Sequence, residues 1–170
     1  MKKMFVAIML GALLTALLVG CDGGSKGKGT SASAKIIEPA MLISAEDAKS
    51  LTGAAFGPCK TSEDARIGQK ICVYDKDSAF LQITLTQSAF MDKNSPNTPE
   101  SLFKTTKGFF KDAGRIDGVG DDNFIAPPGL HIYKNGYYMT VSLGLMSKDK
   151  QKLKAVGSKA VENLVKLASK

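Results

Sequence analysis

The chain contains 170 residues, of which 44% are hydrophobic and 23% charged, and this composition excludes collagen-like, coiled-coil and wholly disordered proteins. One histidine, no tryptophan and three cysteines leave little material for a metal centre or for histidine-based catalysis. The formal charge of +7 falls to +5 without Lys2 and Lys3 of the leader, which is far from a nucleic-acid-binding composition.

The first 20 residues have the features of a leader segment. Lys2 and Lys3 precede an apolar stretch that runs from Met4 to Val19. A helix of this length spans roughly 24 Å, less than the ~30 Å hydrocarbon core of a bilayer. The pattern therefore favours a secretory signal over a membrane-spanning helix.

The leader ends in Leu18-Val19-Gly20-Cys21, which resembles the lipobox of bacterial lipoproteins. In that family the cysteine sulfur receives diacylglycerol, a peptidase cuts before the cysteine, and the new amine is often acylated, for example with palmitate. The resemblance implies that Cys21 anchors the protein in a bilayer, outside the cytoplasm and in the cell envelope or periplasm. In some Gram-negative lipoproteins an aspartate at the next position, here Asp22, accompanies retention at the inner membrane. An ordinary signal peptide with a chance cysteine is the alternative.

Residues 21–35 are predicted to form the lipidated cysteine and a flexible tether. The segment from Asp22 to Lys35 is rich in Gly and Ser and has no aromatic or large aliphatic residue. A chain of this length has an r.m.s. reach of ~20 Å, which would hold a following domain just above the bilayer. We expect one globular domain over residues 36–170.

Cys59 and Cys72 are the two cysteines that remain if Cys21 carries lipid, an even number for an oxidising compartment. A disulfide between them would stabilise the fold by ~3 kcal/mol in the chain-entropy model. A redox-active pair is the alternative, although nothing resembles a Cys-x-x-Cys motif. We therefore predict a structural disulfide.

Capping, alternation and turn signals predict the element order α-β-β-α-β-β-α. This order fits an α+β domain in which an antiparallel sheet of about four strands, made of two hairpins, carries its helices on one face. The predicted elements are a helix capped by Ser44 and ended by Gly53, strands over 71–74 and 79–87, a helix from Thr98 and Pro99 to Gly114, a long loop over 118–129, a hairpin around Asn135-Gly136, and a helix from Ser147 to the C-terminus.

Strand pairing predicts which side chains share a face of the sheet. The Asn135-Gly136 turn places Ile132 opposite Met139 on the core face, and in the first hairpin we place Val73 opposite Leu81. The other face is polar with an aromatic share, which is typical of a solvated or partner-binding surface. Its candidate interaction residues are Tyr74, Phe80, His131, Tyr133 and Tyr138.

Several motifs together are similar to those of small secreted bacterial lipoproteins classed as domains of unknown function. They are the lipobox, the segment from Ser44 to Gly53, the spaced cysteines, and Gly118-Val119-Gly120-Asp121-Asp122 before a hairpin. The resemblance implies an α+β domain outside the cytoplasmic membrane and carries over no catalytic residue.

Carboxylates and the single imidazole are the remaining candidates for chemistry. Asp117, Asp121 and Asp122 lie in a glycine-rich loop where oxygens could hold Ca²⁺, but their spacing lacks the EF-hand pattern, so we interpret them as turn residues and weak metal candidates. His131 has no ligand or carboxylate at suitable spacing and is interpreted as a hydrogen-bonded surface residue. Since it offers no oriented base, and no phosphate-binding glycine loop occurs, we expect neither a cofactor nor enzymatic activity.

Five lysines of the last helix fall within a ~40° arc that is separate from its apolar arc. A solvated edge is one interpretation, and electrostatic contact with anionic headgroups or an acidic partner is the other. These candidate membrane-facing residues are Lys148, Lys152, Lys159, Lys166 and Lys170.

The sequence supports three classes of function. We expect first a lipid-anchored, non-enzymatic envelope protein that presents its domain to a protein or other envelope partner, with no nucleic acid involved. The alternative is a module that binds a small molecule or a cation at the open sheet face or the 117–123 loop, and a minor hydrolase is third. A pocket of about 300 Å³ or more with converging polar groups would favour the small-molecule module, and a flat face would favour the partner-binding protein.

Overall fold

The computed structural model describes residues 35–144 and 149–170. The leader, Cys21, the tether up to residue 34, Lys148 and the predicted start of the last helix at Ser147 lie outside the described residues. The helices and strands in chain order are α1 (Ala45–Thr52), β1 (Lys60–Asp64), β2 (Gln69–Lys76), β3 (Ala79–Thr86), α2 (Pro99–Phe109), β4 (Asp122–Ala126), β5 (Gly129–Lys134), β6 (Tyr137–Ser142) and α3 (Lys150–Ala168).

Six antiparallel strands form one sheet in the order β1-β2-β3-β6-β5-β4. The predicted α+β class is confirmed. The expected number of strands, about four, is wrong, and so is the predicted element order α-β-β-α-β-β-α. Strand β1 has the sequence KTSED and is largely exposed, so it lacks the apolar alternation that identifies a strand. Strand β4 lies inside the predicted long loop and pairs with β5.

Helices α1 and α2 begin at the residues that the sequence indicates, whereas α3 begins at Lys150 with Asp149 as its cap. The Ser44 hydroxyl accepts the Asp47 N–H at the start of α1, and the Thr98 hydroxyl caps α2 in the same way, as predicted. Helix α2 ends at Phe109 rather than at Gly114, because Phe110 leaves the helical conformation with φ −121° and ψ 62°.

The main core lies between one face of the sheet and helices α1 and α3. Gly157 of α3 lies against this face so closely that a Cβ atom there would be 2.9 Å from Leu130 Cδ2. The largest fully buried aliphatic side chains of this core are Ile37, Leu42, Ile43, Leu81, Ile83, Leu85, Leu130, Ile132, Met139, Leu153 and Leu164.

Helix α2 packs on the opposite face of the sheet, so the prediction that all helices share one face is wrong. Its buried Phe103 ring contacts Phe124, Tyr133 and Tyr138, with ring centroids 5.4, 5.5 and 5.5 Å away. These rings form a second, smaller cluster that is separate from the main core. We call this side of the sheet the second face.

The two hairpins differ in how well their register is predicted. Ile132 pairs with Met139, as expected from the Asn-Gly turn. In the first hairpin Leu81 pairs with Tyr74 rather than with Val73. A shift of one residue exchanges the two faces of a strand, so Tyr74 lies in the main core and Val73 lies on the second face.

Gln87 fixes the first residues of the domain to the sheet. Its fully buried side-chain amide accepts the Ile37 N–H at 2.8 Å and donates to the Ile37 carbonyl oxygen at 2.8 Å. The amide therefore bonds to Ile37 as the peptide group of a neighbouring strand would.

Candidate functional site

Helix α2 covers only part of the second face and leaves a cleft beside it. Gln82 of β3 pairs with Ser142 of β6, so these residues bring the two central strands together at the floor of the cleft. The cleft has a volume of about 430 Å³. We call it the open cleft, and it is lined by Phe80, Gln82, Pro128, Ser142 and Gly144.

Several polar groups of the open cleft have hydrogen-bond partners within the fold. Gln82 Nε2 donates to Thr84 Oγ1 at 3.1 Å. Ser142 Oγ donates to the Pro128 carbonyl oxygen at 2.7 Å and accepts the Gly144 N–H at 3.3 Å. Because these bonds are internal, the surface offered to a ligand is mainly the Phe80 ring and Pro128, which suits an apolar side chain.

The apolar surface continues from the open cleft onto β2. Val73 pairs with Gln82, and Ile71 lies two residues along the same face. Both side chains are half-buried. The predicted register of β2 was wrong by one residue, and it placed Val73 on the core face instead of here.

The predicted interaction residues do not form one surface. Phe80 lies in the open cleft, whereas Tyr74 lies on the other face with 3% of its surface exposed. His131, Tyr133 and Tyr138 lie beneath or beside α2. The structure therefore has, in place of the expected open aromatic face, a smaller cleft that contains one aromatic ring, that of Phe80.

Sequence reasoning missed the cleft residues that come from loops. Gln82 and Ser142 have the same strand alternation as Phe80 and Thr140, so the pattern places them on the second face. Pro128 and Gly144 lie outside the strands, and no local signal indicates that both bond to the Ser142 hydroxyl.

His131 is a buried residue, which corrects its interpretation as a surface histidine. Its ring stacks on Phe124 with centroids 4.4 Å apart. Nε2 lies 3.2 Å from the Ala126 carbonyl oxygen, which can only accept, so Nε2 carries the proton and Nδ1 accepts the Tyr138 hydroxyl at 2.8 Å. Burial lowers the pKa of His131 despite these contacts, which favours a neutral ring.

The aspartates of the glycine-rich loop bind basic side chains. Asp121 accepts Lys134 Nζ at 2.6 Å and the Asn135 N–H at 2.9 Å, and these bonds lower the pKa of its carboxyl group. Asp122 binds Lys107 of α2 at 2.6 Å. Asp117 is exposed in the same loop, and among residues 35–144 and 149–170 no three metal-binding side chains converge.

The lysine arc of α3 is partly neutralised by carboxylates. Lys152 lies 3.9 Å from Asp149, and Lys159 lies 3.9 Å from Asp47 of α1. Lys166 bonds to Glu162, and the terminal residue Lys170 is exposed. These pairings favour the solvated-edge interpretation over the membrane-facing one.

Cys59 and Cys72 are neighbours at the edge of the main core. Cys59 precedes β1 and is half-buried, whereas Cys72 on β2 is fully buried. Both are free thiols in the structure. Burial, together with contact with the Cys59 thiol, raises the pKa of Cys72 to about 12, so the thiol form is strongly favoured in the reduced protein.

In the part of the chain that the structure describes, no helix is both long enough and apolar enough to cross a membrane. Comparisons with protein-family models, with curated proteins and with solved structures find no match to this chain.

Proposed function

We propose that this protein is a non-enzymatic lipoprotein of the cell envelope that is anchored through Cys21 and binds a protein partner in its open cleft. The observation that carries the proposal is the apolar surface of Phe80 and Pro128, whose polar neighbours already bond to one another. Such a surface matches an apolar side chain of a partner, because the Ser142 hydroxyl and one amide N–H of Gln82 already have partners within the fold.

A small-molecule site is the second candidate, since the open cleft exceeds about 300 Å³. A small-molecule site usually has polar groups that converge on the ligand and orient it. In the open cleft Gln82 bonds to Thr84, and Ser142 bonds to Pro128 and Gly144. This arrangement supports a protein partner over a polar small molecule.

The non-enzymatic part of the proposal rests on the surroundings of His131. Within the described residues no carboxylate contacts its ring, and its hydrogen bonds go to Tyr138 and to a backbone carbonyl group. A histidine that acts as a base needs access to substrate and an orienting partner. Its place beneath α2 supports a structural role.

Photo-crosslinking in intact cells tests the proposed partner site. A crosslinking side chain replaces Asp75, which is exposed and pairs with Phe80 across the hairpin. In a parallel control experiment, the same side chain replaces the exposed Ser158 on α3. We expect one discrete protein adduct from position 75 and none from position 158.

A cleft variant tests the adduct, and a second apolar-to-serine variant serves as its matched control. Phe80→Ser should abolish the adduct from position 75, whereas Val165→Ser, which changes another partly exposed apolar residue, should leave it intact. The same adducts from both positions, or an adduct that survives Phe80→Ser, would contradict the proposal. An adduct of only a few hundred daltons would favour the small-molecule module.

A further inference from the structure

We propose that the C-terminal end of α2 is a second contact with the membrane, which places a phenyl ring among anionic lipid headgroups. The inference rests on the proposed lipid anchor, which would keep the domain near a bilayer. We call the surface the aromatic tip, and it consists of Phe109, Phe110, Lys107, Lys111, Arg115 and Lys150.

Two consecutive phenylalanines form the apolar part of the aromatic tip. Phe110 is 36% exposed and its ring stacks with Phe124 at a centroid distance of 6.3 Å, so it is fixed to the second cluster. Phe109 is 79% exposed, the largest value among the exposed large hydrophobic residues in the described part of the chain. One exposed apolar side chain is not unusual, so the charges around Phe109 decide its interpretation.

Three segments contribute basic side chains to this part of the fold, which also carries the exposed Asp112. Lys107 comes from α2, and Lys111 and Arg115 come from the segment that follows it. Lys150 belongs to the first turn of α3, and its Nζ lies 3.9 Å from the place of a Cβ atom on Gly114. Lys150 thus lies beside the segment that follows α2, although it is about 40 residues from Lys111 along the chain.

These cations are not all neutralised. Lys107 and Arg115 share Asp122, at 2.6 and 3.5 Å. Lys111 and Lys150 have no carboxylate oxygen within 4.0 Å among residues 35–144 and 149–170. The aromatic tip therefore combines its most exposed ring with ammonium groups that remain available to an anion.

An anionic bilayer surface matches both parts of the aromatic tip. A phenyl ring is stabilised at the boundary between headgroups and acyl chains, and nearby lysines are attracted to the negative surface. The lysine arc of α3 fits less well, because Asp149, Asp47 and Glu162 each lie beside one of its lysines. A tether with a reach of ~20 Å would hold the domain at a high effective concentration near the bilayer.

A single tryptophan provides the test, because the chain has none of its own. Full-length Phe109→Trp protein, purified from the membranes of its host, is reconstituted into vesicles that contain brominated lipid. One set of vesicles is phosphatidylcholine, and the other also contains phosphatidylglycerol. We expect a blue shift and quenching of emission with the anionic vesicles only, and both effects should weaken as salt is added.

Charge variants and a second probe complete the experiment. Lys111→Gln and Lys150→Gln should each lower the ratio of docked to free tips about fivefold. A Phe80→Trp probe in the open cleft should not be quenched. The mass of the purified protein reports acylation of Cys21 separately, so failure of the anchor and failure of the tip are distinguishable.

Three results would overturn the inference. One is an unchanged Phe109→Trp emission in anionic vesicles, and another is equal quenching in neutral vesicles. The third is quenching that the two Lys→Gln variants leave intact, since the cations would then have no part in binding.

Discussion

The hydroxyl group of Tyr74 donates a hydrogen bond of 2.6 Å to the carbonyl oxygen of Ile43, which joins β2 to the residue before the cap of α1. Both residues are buried, so no water replaces the bond if it is lost. Tyr74→Phe should lower the free energy of unfolding by about 1 kcal/mol, because the carbonyl group loses its partner while the ring remains. Urea unfolding measures the change. Tyr137 is half-buried and its hydroxyl makes no side-chain hydrogen bond in the described part, so Tyr137→Phe should have almost no effect.

The neighbouring Cys59 and Cys72 thiols are expected to be joined by a disulfide in the exported protein. Non-reducing peptide mapping should recover their two peptides as one species. Cys59→Ala should lower the free energy of unfolding by ~3 kcal/mol, and a reductant should destabilise the parent protein but not the variant. Two thiols that react freely with an alkylating reagent after export would show that the predicted disulfide is wrong.

Lipid attachment at Cys21 is testable by replacing the cysteine with serine. Cys21→Ser should leave a larger, unprocessed precursor that incorporates no labelled fatty acid, because the cysteine sulfur is the atom that receives the lipid. Gel mobility and intact mass measure both changes. A variant that is processed and labelled like the parent would refute the lipobox interpretation.

The buried His131 should make stability depend on pH below neutrality. Its pKa is lowered in the folded protein, so the unfolded chain binds the proton more readily, and stability is lost as the pH falls from about 6.5 toward the folded pKa. Urea midpoints at about pH 7.5 and pH 5.5 measure this loss. His131→Gln should reduce the dependence in this range, while Asp121, whose pKa is lowered by its bond to Lys134, has its effect below about pH 4. An equal dependence in the variant would exclude His131 as its source.

Two helical glycines should respond in opposite ways to replacement by alanine. A Cβ atom at Gly157 would lie 2.9 Å from Leu130 Cδ2 and 3.1 Å from Ile132 Cδ1, both fully buried. Overpacking by Gly157→Ala should therefore cost about 1–3 kcal/mol, offset in part by about 0.5–1 kcal/mol of helix propensity, and the net effect should be destabilising. A Cβ atom at Gly108 meets nothing within 4 Å, so Gly108→Ala should stabilise the fold by about 0.5–1 kcal/mol. Equal effects at both positions would contradict the close packing of α3 on the sheet.

The sequence identifies those features that depend on neighbours along the chain. The Ser44 and Thr98 caps and the Asn135-Gly136 hairpin are local, and each is confirmed. Strand β1 escapes recognition because an exposed edge strand has no need of apolar alternation, and charged side chains there discourage pairing with other chains. The side on which α2 packs is equally hidden, since the same apolar stripe can cover either face of a sheet.

The candidate site was likewise predictable in part. Alternation places Phe80 on the second face, whereas the observed register of β2 places Tyr74 in the main core, where it bonds to Ile43. That contact spans more than 30 residues, so no local pattern contains it. The error at Tyr74 is an error about the turn: Lys76 pairs with Ala79 across the two-residue turn Asp77-Ser78, and Asp77 has the positive φ of 52° that suits such a turn.

The bonds between Gln87 and Ile37 determine how the domain responds to mechanical force. A pull applied to the chain before Ile36 enters the folded part at Ile37, where one buried amide holds both the N–H and the carbonyl group. Gln87 follows β3, which lies between β2 and β6, so the load passes to the interior of the sheet. Such a pull therefore does not load the edge strand β1 directly, and we expect β1 to stay paired with β2 until the contact between Ile37 and Gln87 breaks.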